Sequence, residues 1–416
     1  MDVFEIFAIV ISLTAGFSYL NYRFLGLPVT IGVMVIALVA SLLLHMIDFL
    51  GLHLEEQAAA WLQSIDFNKT LLHGMLSFLL FAGALHVNLH DLFNQKWAIG
   101  SLATLGILLS TFLVGTFTWW VLALVGIPLP YLACLVFGAL ISPTDPIAVL
   151  GILKHANAPK SLEVKITGES LFNDGVGIVV FIILAELAAG THTLTMGHVL
   201  GLFAQEAVGG VLLGLGLGAL ACSLLRSIDQ YQIEVMITLA IVTGGYAMAS
   251  AWHLSGPIAV VVAGLMVGNH GRTHAMSDTT REHLDTFWEL IDEILNAVLF
   301  VLIGLEVLVL TFPYQQLLAG VFVIPLILLS RLLAIGAPMS LLRLVRSFTP
   351  GAVWLMTWGG LRGGISVALA LSLPPGLERD VIVTMTYVVV VFSIVVQGLT
   401  METLVKRLVP RSASGE

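Results

Sequence analysis

The chain has 416 residues, of which 58% are hydrophobic and 10% charged. Soluble domains carry about 25% charged residues, so this composition excludes a water-soluble module and leaves a single membrane domain. The net charge of −9 comes with basic residues spread thinly between apolar runs, which argues against any nucleic-acid partner.

The N-terminal MDVFEIF lacks the basic region and small-residue cleavage site of a signal peptide, so the first apolar run is expected to remain as a span. Apolar stretches near span length then recur to the end of the chain. They predict about 13 transmembrane helices, centred on Leu13, Ile36, Phe81, Leu109, Gly138, Val179, Gly214, Ile241, Val262, Phe300, Pro325, Val367 and Val390. The longest loop runs from His45 to Lys69 and is expected to hold an interfacial helix around Trp61. Cys134 and Cys222 both lie in apolar runs and read as inert buried thiols, too few for a disulfide framework or a metal site.

Orientation follows from the basic residues. With the N-terminus outside, Arg23, Lys96, Lys154, Lys160, Lys165, Arg226, Arg272, Arg281, Arg343, Arg346, Lys406, Arg407 and Arg411 fall inside, against Lys69 and Arg379 outside. Arg331 and Arg362 fall within spans. The C-terminus is then cytoplasmic.

Span 5 carries Ser142-Pro143-Thr144-Asp145-Pro146, and span 12 carries Gly359-Gly360-Leu361-Arg362-Gly363-Gly364. Each cluster breaks a helix and contains a charge. They occupy equivalent places if the chain is two six-span repeats, about 1–190 and 230–410, joined by a linker helix at about 197–226. Paired broken helices in corresponding positions point to a transporter's binding site. Pro143 and Pro146 remove helical N–H donors and bias Ser142 and Asp145 away from helix. Unwound backbone there would offer carbonyls and the negative end of the upstream half-helix to a small hard cation. Asp145 also suits the cap of the downstream half-helix, with Pro146 at its first position.

Ionisable groups in mid-membrane are costly and default to function. In Gly168-Glu169-Ser170-Leu171-Phe172-Asn173-Asp174-Gly175, Glu169 and Asn173 are four apart, as are Ser170 and Asp174. All four share an arc of about 140° on one helix face. Gly175 and Gly177 would let a neighbouring helix come close. A buried acid there requires a counter-charge or its proton. Arg362 is the first candidate, and Arg331 a second, expected to face Glu306. His155, His270, His274 and His283 read as cytoplasmic, interfacial groups rather than pH sensors. Glu289, Asp292 and Glu293 read as a solvated helix start that would also draw cations to the cytoplasmic mouth.

Three segments, SPTDPIAV at 142–149, GESLFNDGVGIVVF at 168–181 and WGGLRGGISVALALSLP at 358–374, resemble the NhaP-type sodium/proton antiporters of the cation–proton antiporter superfamily, and span number and order fit over nearly the whole chain. The resemblance implies an all-α membrane fold of 13 helices with inverted six-helix repeats and crossing unwound helices. It implies a core domain, a dimerisation domain and a homodimer. It further implies a non-enzymatic secondary transporter in a bacterial or archaeal inner membrane, with Na⁺ or Li⁺ and H⁺ as cargo and no cofactor. Asp174 would bind ion and proton in turn, beside Asn173, with Glu169 and Ser170 in the site or its network. Thr144 and Asp145 would add oxygens, so that Na⁺ sits at Asp174, Thr144, Asp145 and Ser170. Arg362 would pair with Glu169. An Asn-Asp pair implies electroneutral exchange, and the large cytosolic tail of some relatives is expected to be missing.

The same scheme follows from the physics. If one carboxylate is the only group that Na⁺ and H⁺ can both occupy, and only a neutralised site can cross, the two cargoes alternate. A potassium/proton antiporter with the same site is the main alternative, because size selectivity depends on cavity geometry. An aspartyl protease using Asp145 and Asp174 needs two facing aspartates sharing a proton, and a channel needs rings of ligands about a pore axis. Neither suits this cluster.

Overall fold

A computed structural model describes residues 3–48, 74–155, 159–190, 196–310, 312–342 and 351–408. The expected helix around Trp61 lies outside the described residues. Among those described there are no strands, only one isolated bridge between Asp145 and Leu361.

The principal helices are α1 (Val3–Leu20), α2 (Val29–Asp48), α3 (Leu76–Leu85), α4 (Ile107–Val125), α5 (Tyr131–Ile141), α6 (Ile147–His155), α7 (Lys160–Ala188), α8 (Gly209–Leu225), α9 (Tyr231–Ala251), α10 (Gly256–Met266), α11 (Asp278–Leu305), α12 (Tyr314–Leu342), α13 (Ala352–Trp358), α14 (Gly364–Leu371), α15 (Leu377–Phe392) and α16 (Gly398–Leu408). Each expected span centre falls inside one of them. Eight helices among the described residues are long and apolar enough to cross a membrane, and Leu76–Leu85 and Tyr131–Ile141 are shorter apolar ones. An all-helical chain is what a bilayer demands, because helices satisfy their own backbone groups without water.

The helices pack as two groups. In one, α11 lies against α1, α2, α3 and α9, and α10 against α3, α8 and α9. In the other, α4 packs on α5 and α12, α5 on α7 and α14, and α15 on α12 and α14. Contacts of α7 with α10 and of α11 with α14 join the groups, and the candidate site lies along that seam.

Both expected breaks are present. Between α5 and α6 the chain is non-helical over 142–146, and between α13 and α14 over 359–363. The breaks cross back to back, with the Asp145 N–H donating to the Leu361 carbonyl at 2.8 Å. Glycine makes the crossing possible. A Cβ on Gly363 would stand 2.7 Å from a carboxylate oxygen of Asp145, and one on Gly360 would stand 2.6 Å from Nε of Arg331. Likewise, a Cβ on Gly177 would meet the ring of Pro143 at 2.4 Å, so α7 lies directly against the first break.

Candidate cation site at the crossing of two broken helices

Every half-helix end at the crossing leaves unpaired backbone groups and a partial charge. The negative end of α5 faces Arg362, whose Nη1 donates to the carbonyls of Ser142 at 2.6 Å and Pro143 at 3.0 Å. The positive end of α6 faces Asp145, whose Oδ1 accepts from the Ile147 N–H at 3.0 Å. The second carboxylate oxygen of Asp145 lies beside Gly363, at the N-terminus of α14. One aspartate therefore serves two positive ends.

This differs from the expectation in two respects. The backbone carbonyls of the unwound segment were candidates for cation ligands. Those of Ser142 and Pro143 are instead taken by Arg362, and that of Thr144 accepts the hydroxyl of Ser170. Arg362 was also expected to pair with Glu169. That role belongs to Arg331, whose Nη1 and Nη2 reach the two carboxylate oxygens of Glu169 at 2.6 and 2.9 Å. Arg331 does not face Glu306, which sits at the far end of α11. The reason is steric and electrostatic together. Gly360 leaves room for the Arg331 guanidinium against the second break, and a bidentate fork fits a carboxylate better than it fits single carbonyls.

The polar face of α7 divides its labour. Asn173, fully buried, donates from Nδ2 to the Thr144 hydroxyl at 2.9 Å and accepts the Thr144 N–H at 3.4 Å. The same amide lies 3.5 Å from Glu169 Oε1. Ser170 fastens Thr144 from the next position on the same face. Glu169 and Asn173 thus sit behind the break and hold it. Asp174 faces the other way, into a cavity of about 670 Å³ that it lines together with Thr144, Asp145 and Ser170. Asp174 is 7% exposed, and no hydrogen bond or ion pair to it occurs among the described residues.

The cavity widens from the crossing toward the ends of α3, α7 and α11. Its wall includes Glu289 and Asp292 of the acidic cluster, and also Asp91, Asp285, Asn296 and Ser366, which sequence reasoning passed over. Asn296 follows Asp292 by four residues on α11, a spacing that would have marked it as sharing that face. Two ion pairs stand at the mouth, Lys160 with Asp91 at 3.0 Å and Arg272 with Asp285. His86 lines the mouth too, with Nε2 at 3.9 Å from Asp285. Of the four histidines singled out from sequence, His270, His274 and His283 do not line it, and the side chain of His155 lies outside the described ones. His270 and His274 stack on each other, and His283 lies against Tyr231.

Among the described residues no three His, Cys, Asp or Glu side chains converge as a metal cage. The available ligands are the carboxylates of Asp174 and Asp145 and the hydroxyls of Thr144 and Ser170, oxygen donors of the kind a hard monovalent or divalent cation accepts.

Comparison with known proteins shows the family of the chain. Residues 9–407 match the family model described as sodium/hydrogen exchanger, transmembrane. The chain is 51% identical over 409 residues to the Na(+)/H(+) antiporter NhaP of Pseudomonas aeruginosa, covering 97% of this chain and 96% of that one. It is 37% identical over 357 residues to the Na(+)/H(+) antiporter NhaH of Halobacillus dabanensis, covering 83% and 85%. The fold matches the sodium proton antiporter MjNhaP1 of Methanocaldococcus jannaschii with a TM-score of 0.77 at 19% identity, over 98% of this chain and 100% of the other. This chain belongs to the sodium/hydrogen exchanger family of integral membrane proteins.

Proposed function

We propose that the chain is a secondary active transporter exchanging Na⁺, or Li⁺, for H⁺ by alternating access, with both cargoes competing for Asp174. The carrying observation is the isolation of that carboxylate. Glu169 is neutralised by Arg331, and Asp145 serves helix ends. Asp174 is the buried carboxylate on the cavity wall with no partner among the described residues. A lone buried carboxylate must hold a proton or a cation. Thr144, Asp145 and Ser170, on the same wall, complete the oxygen shell.

One charge binding either one Na⁺ or one H⁺ makes the exchange electroneutral. Crossing with the site empty would carry a bare charge through the bilayer, costing several kcal/mol, and that suppresses the leak. The cavity opens toward Lys160 and Arg272, which the positive-inside reading assigns to the cytoplasm. On that reading this is an inward-facing state, in an inner membrane, with N-terminus outside and C-terminus inside. The helix group containing the crossing would rock against the other to expose Asp174 on the far side. A homodimer would hold the second group still. No cofactor and no enzymatic step enter the scheme.

The test is exchange in sealed vesicles with an imposed pH gradient and a pH-sensitive dye. Collapse of the gradient by NaCl and LiCl but not KCl, unchanged when the membrane potential is dissipated, is the expected result. Collapse by KCl would make the chain a potassium/proton antiporter with the same site. No collapse by any cation would overturn the exchange reading.

A further inference from the structure

The span that comes after each broken span in the chain clamps its break. For the first break that span is α7, acting through Ser170 and Asn173 on Thr144. For the second break the span is the continuous run from α15 to α16, and the clamp sits in a π-helical turn, Ser393–Gln397. Gln397 donates from Nε2 to the Trp358 carbonyl at 2.8 Å, which covers the negative end of α13. Its Oε1 accepts the Ser393 hydroxyl at 2.7 Å. That hydroxyl accepts the backbone N–H of Arg362 at 2.9 Å. Ser393, Gln397 and Arg362 are all buried. Two side chains four residues apart therefore tie both ends of the 359–363 break to one helix.

We propose that Ser393 and Gln397 are positioning residues for the cation site, a reading that rests on the exchange function above. Between the tied points, Trp358 and Arg362, lies Leu361, whose carbonyl receives the Asp145 N–H, and the guanidinium of Arg362 itself covers Ser142 and Pro143. The clamp sets where Arg362 sits, Arg362 sets the carbonyl end of α5, and Asp145 and Thr144 follow immediately on that strand of backbone. The second clamp contains no carboxylate. The amide of Gln397 donates to the Trp358 carbonyl, whereas α7 brings the carboxylate of Asp174 to the cavity beside the first break.

A merely structural role for the pair would lower stability and leave ion affinity alone. The experiment uses the full chain in detergent and in vesicles, with Ser393→Ala, Gln397→Met and the double variant. Na⁺ affinity is read in two ways: from the Na⁺ dependence of exchange, and from the rise in unfolding temperature with NaCl, which needs no transport. Each single variant is expected to raise the apparent KM for Na⁺ by about tenfold or more, as loss of groups orienting a metal's ligands does. The rate at saturating Na⁺ is expected to change by less than the KM. The double variant is expected to be no weaker than the weaker single, because the two act as one chain. Na⁺ affinity within about twofold of the parent in both singles, whatever their unfolding temperatures, overturns the proposal. Should Gln397→Met fail to assemble, Ser393→Ala, which removes one oxygen, decides on the same terms. A parent protein that binds Na⁺ without exchanging protons would overturn the exchange reading, and the thermal arm would still decide the positioning role.

Discussion

Arg331 grips both oxygens of Glu169 from 162 residues away in the chain, at 2.6 and 2.9 Å. The pair is buried and joins α12 to α7, so it fixes the helix carrying Asp174 against the helix beside the second break. Removing one member leaves an uncompensated charge where water cannot reach it. Arg331→Ala is therefore expected to cost about 3–5 kcal/mol of stability, seen as a large fall in unfolding temperature in detergent. The double variant Glu169→Gln with Arg331→Met removes both charges and is expected to recover most of that loss. A double variant as unstable as Arg331→Ala would mean that the loss does not come from a stranded buried charge.

Arg362 holds carbonyls, not a carboxylate. A lysine can bring a charge to the negative end of α5 but presents a point donor, whereas the guanidinium spans two carbonyls. Arg362→Lys is expected to keep measurable exchange with a raised KM for Na⁺, and Arg362→Ala to lose exchange by at least about 100-fold. Equal activity of the two would remove the helix-end role.

Competition for one carboxylate fixes the sign of the pH dependence. Lowering the pH fills Asp174 with protons, and Na⁺ must displace them. The apparent KM for Na⁺ is expected to rise by about tenfold per pH unit on the acid side of the site's titration, while the maximal rate extrapolated to saturating Na⁺ changes far less. Initial rates across a grid of pH and NaCl measure this. A KM for Na⁺ independent of pH would contradict competition.

Much of this was legible in the chain itself, and for physical reasons. Proline and glycine punctuate a helix wherever they occur, so the breaks at 142–146 and 359–363 could be read from Pro143, Pro146 and the four glycines around Arg362. The polar face of α7 was legible because residues four apart must share a side of a helix. What the chain did not disclose was partnership across space. Nothing local distinguishes Arg331 from Arg362 as the partner of Glu169, because each is a buried arginine in an apolar span. The choice depends on Gly360 admitting one guanidinium and on the distance from α12 to α7, which are properties of packing. Ser393 and Gln397 were passed over for the same reason. Uncharged and set in an apolar run, they acquire meaning only from the Trp358 carbonyl and Arg362 N–H opposite them.

The acidic wall of the cavity mouth makes a kinetic prediction. Glu289 and Asp292, in no ion pair among the described residues, line the approach to Asp174, and unpaired charges of one sign in a cleft raise the local cation concentration. Glu289→Gln is expected to raise the KM for Na⁺ severalfold at low ionic strength, with the difference shrinking when choline chloride is added to screen it. A defect that persists unchanged at high salt would assign Glu289 to direct ligation instead.

The central claim is that Na⁺ and H⁺ share Asp174, and proton release on Na⁺ binding tests it most directly. Purified protein would be titrated with NaCl in weakly buffered solution containing a pH indicator, beside Asp174→Asn at matched concentration and with matched unfolding profiles. The account predicts about one proton released per Na⁺ bound where the site begins protonated, and neither release nor binding in Asp174→Asn. Proton release of the same size from Asp174→Asn would contradict it and move the shared site to another carboxylate.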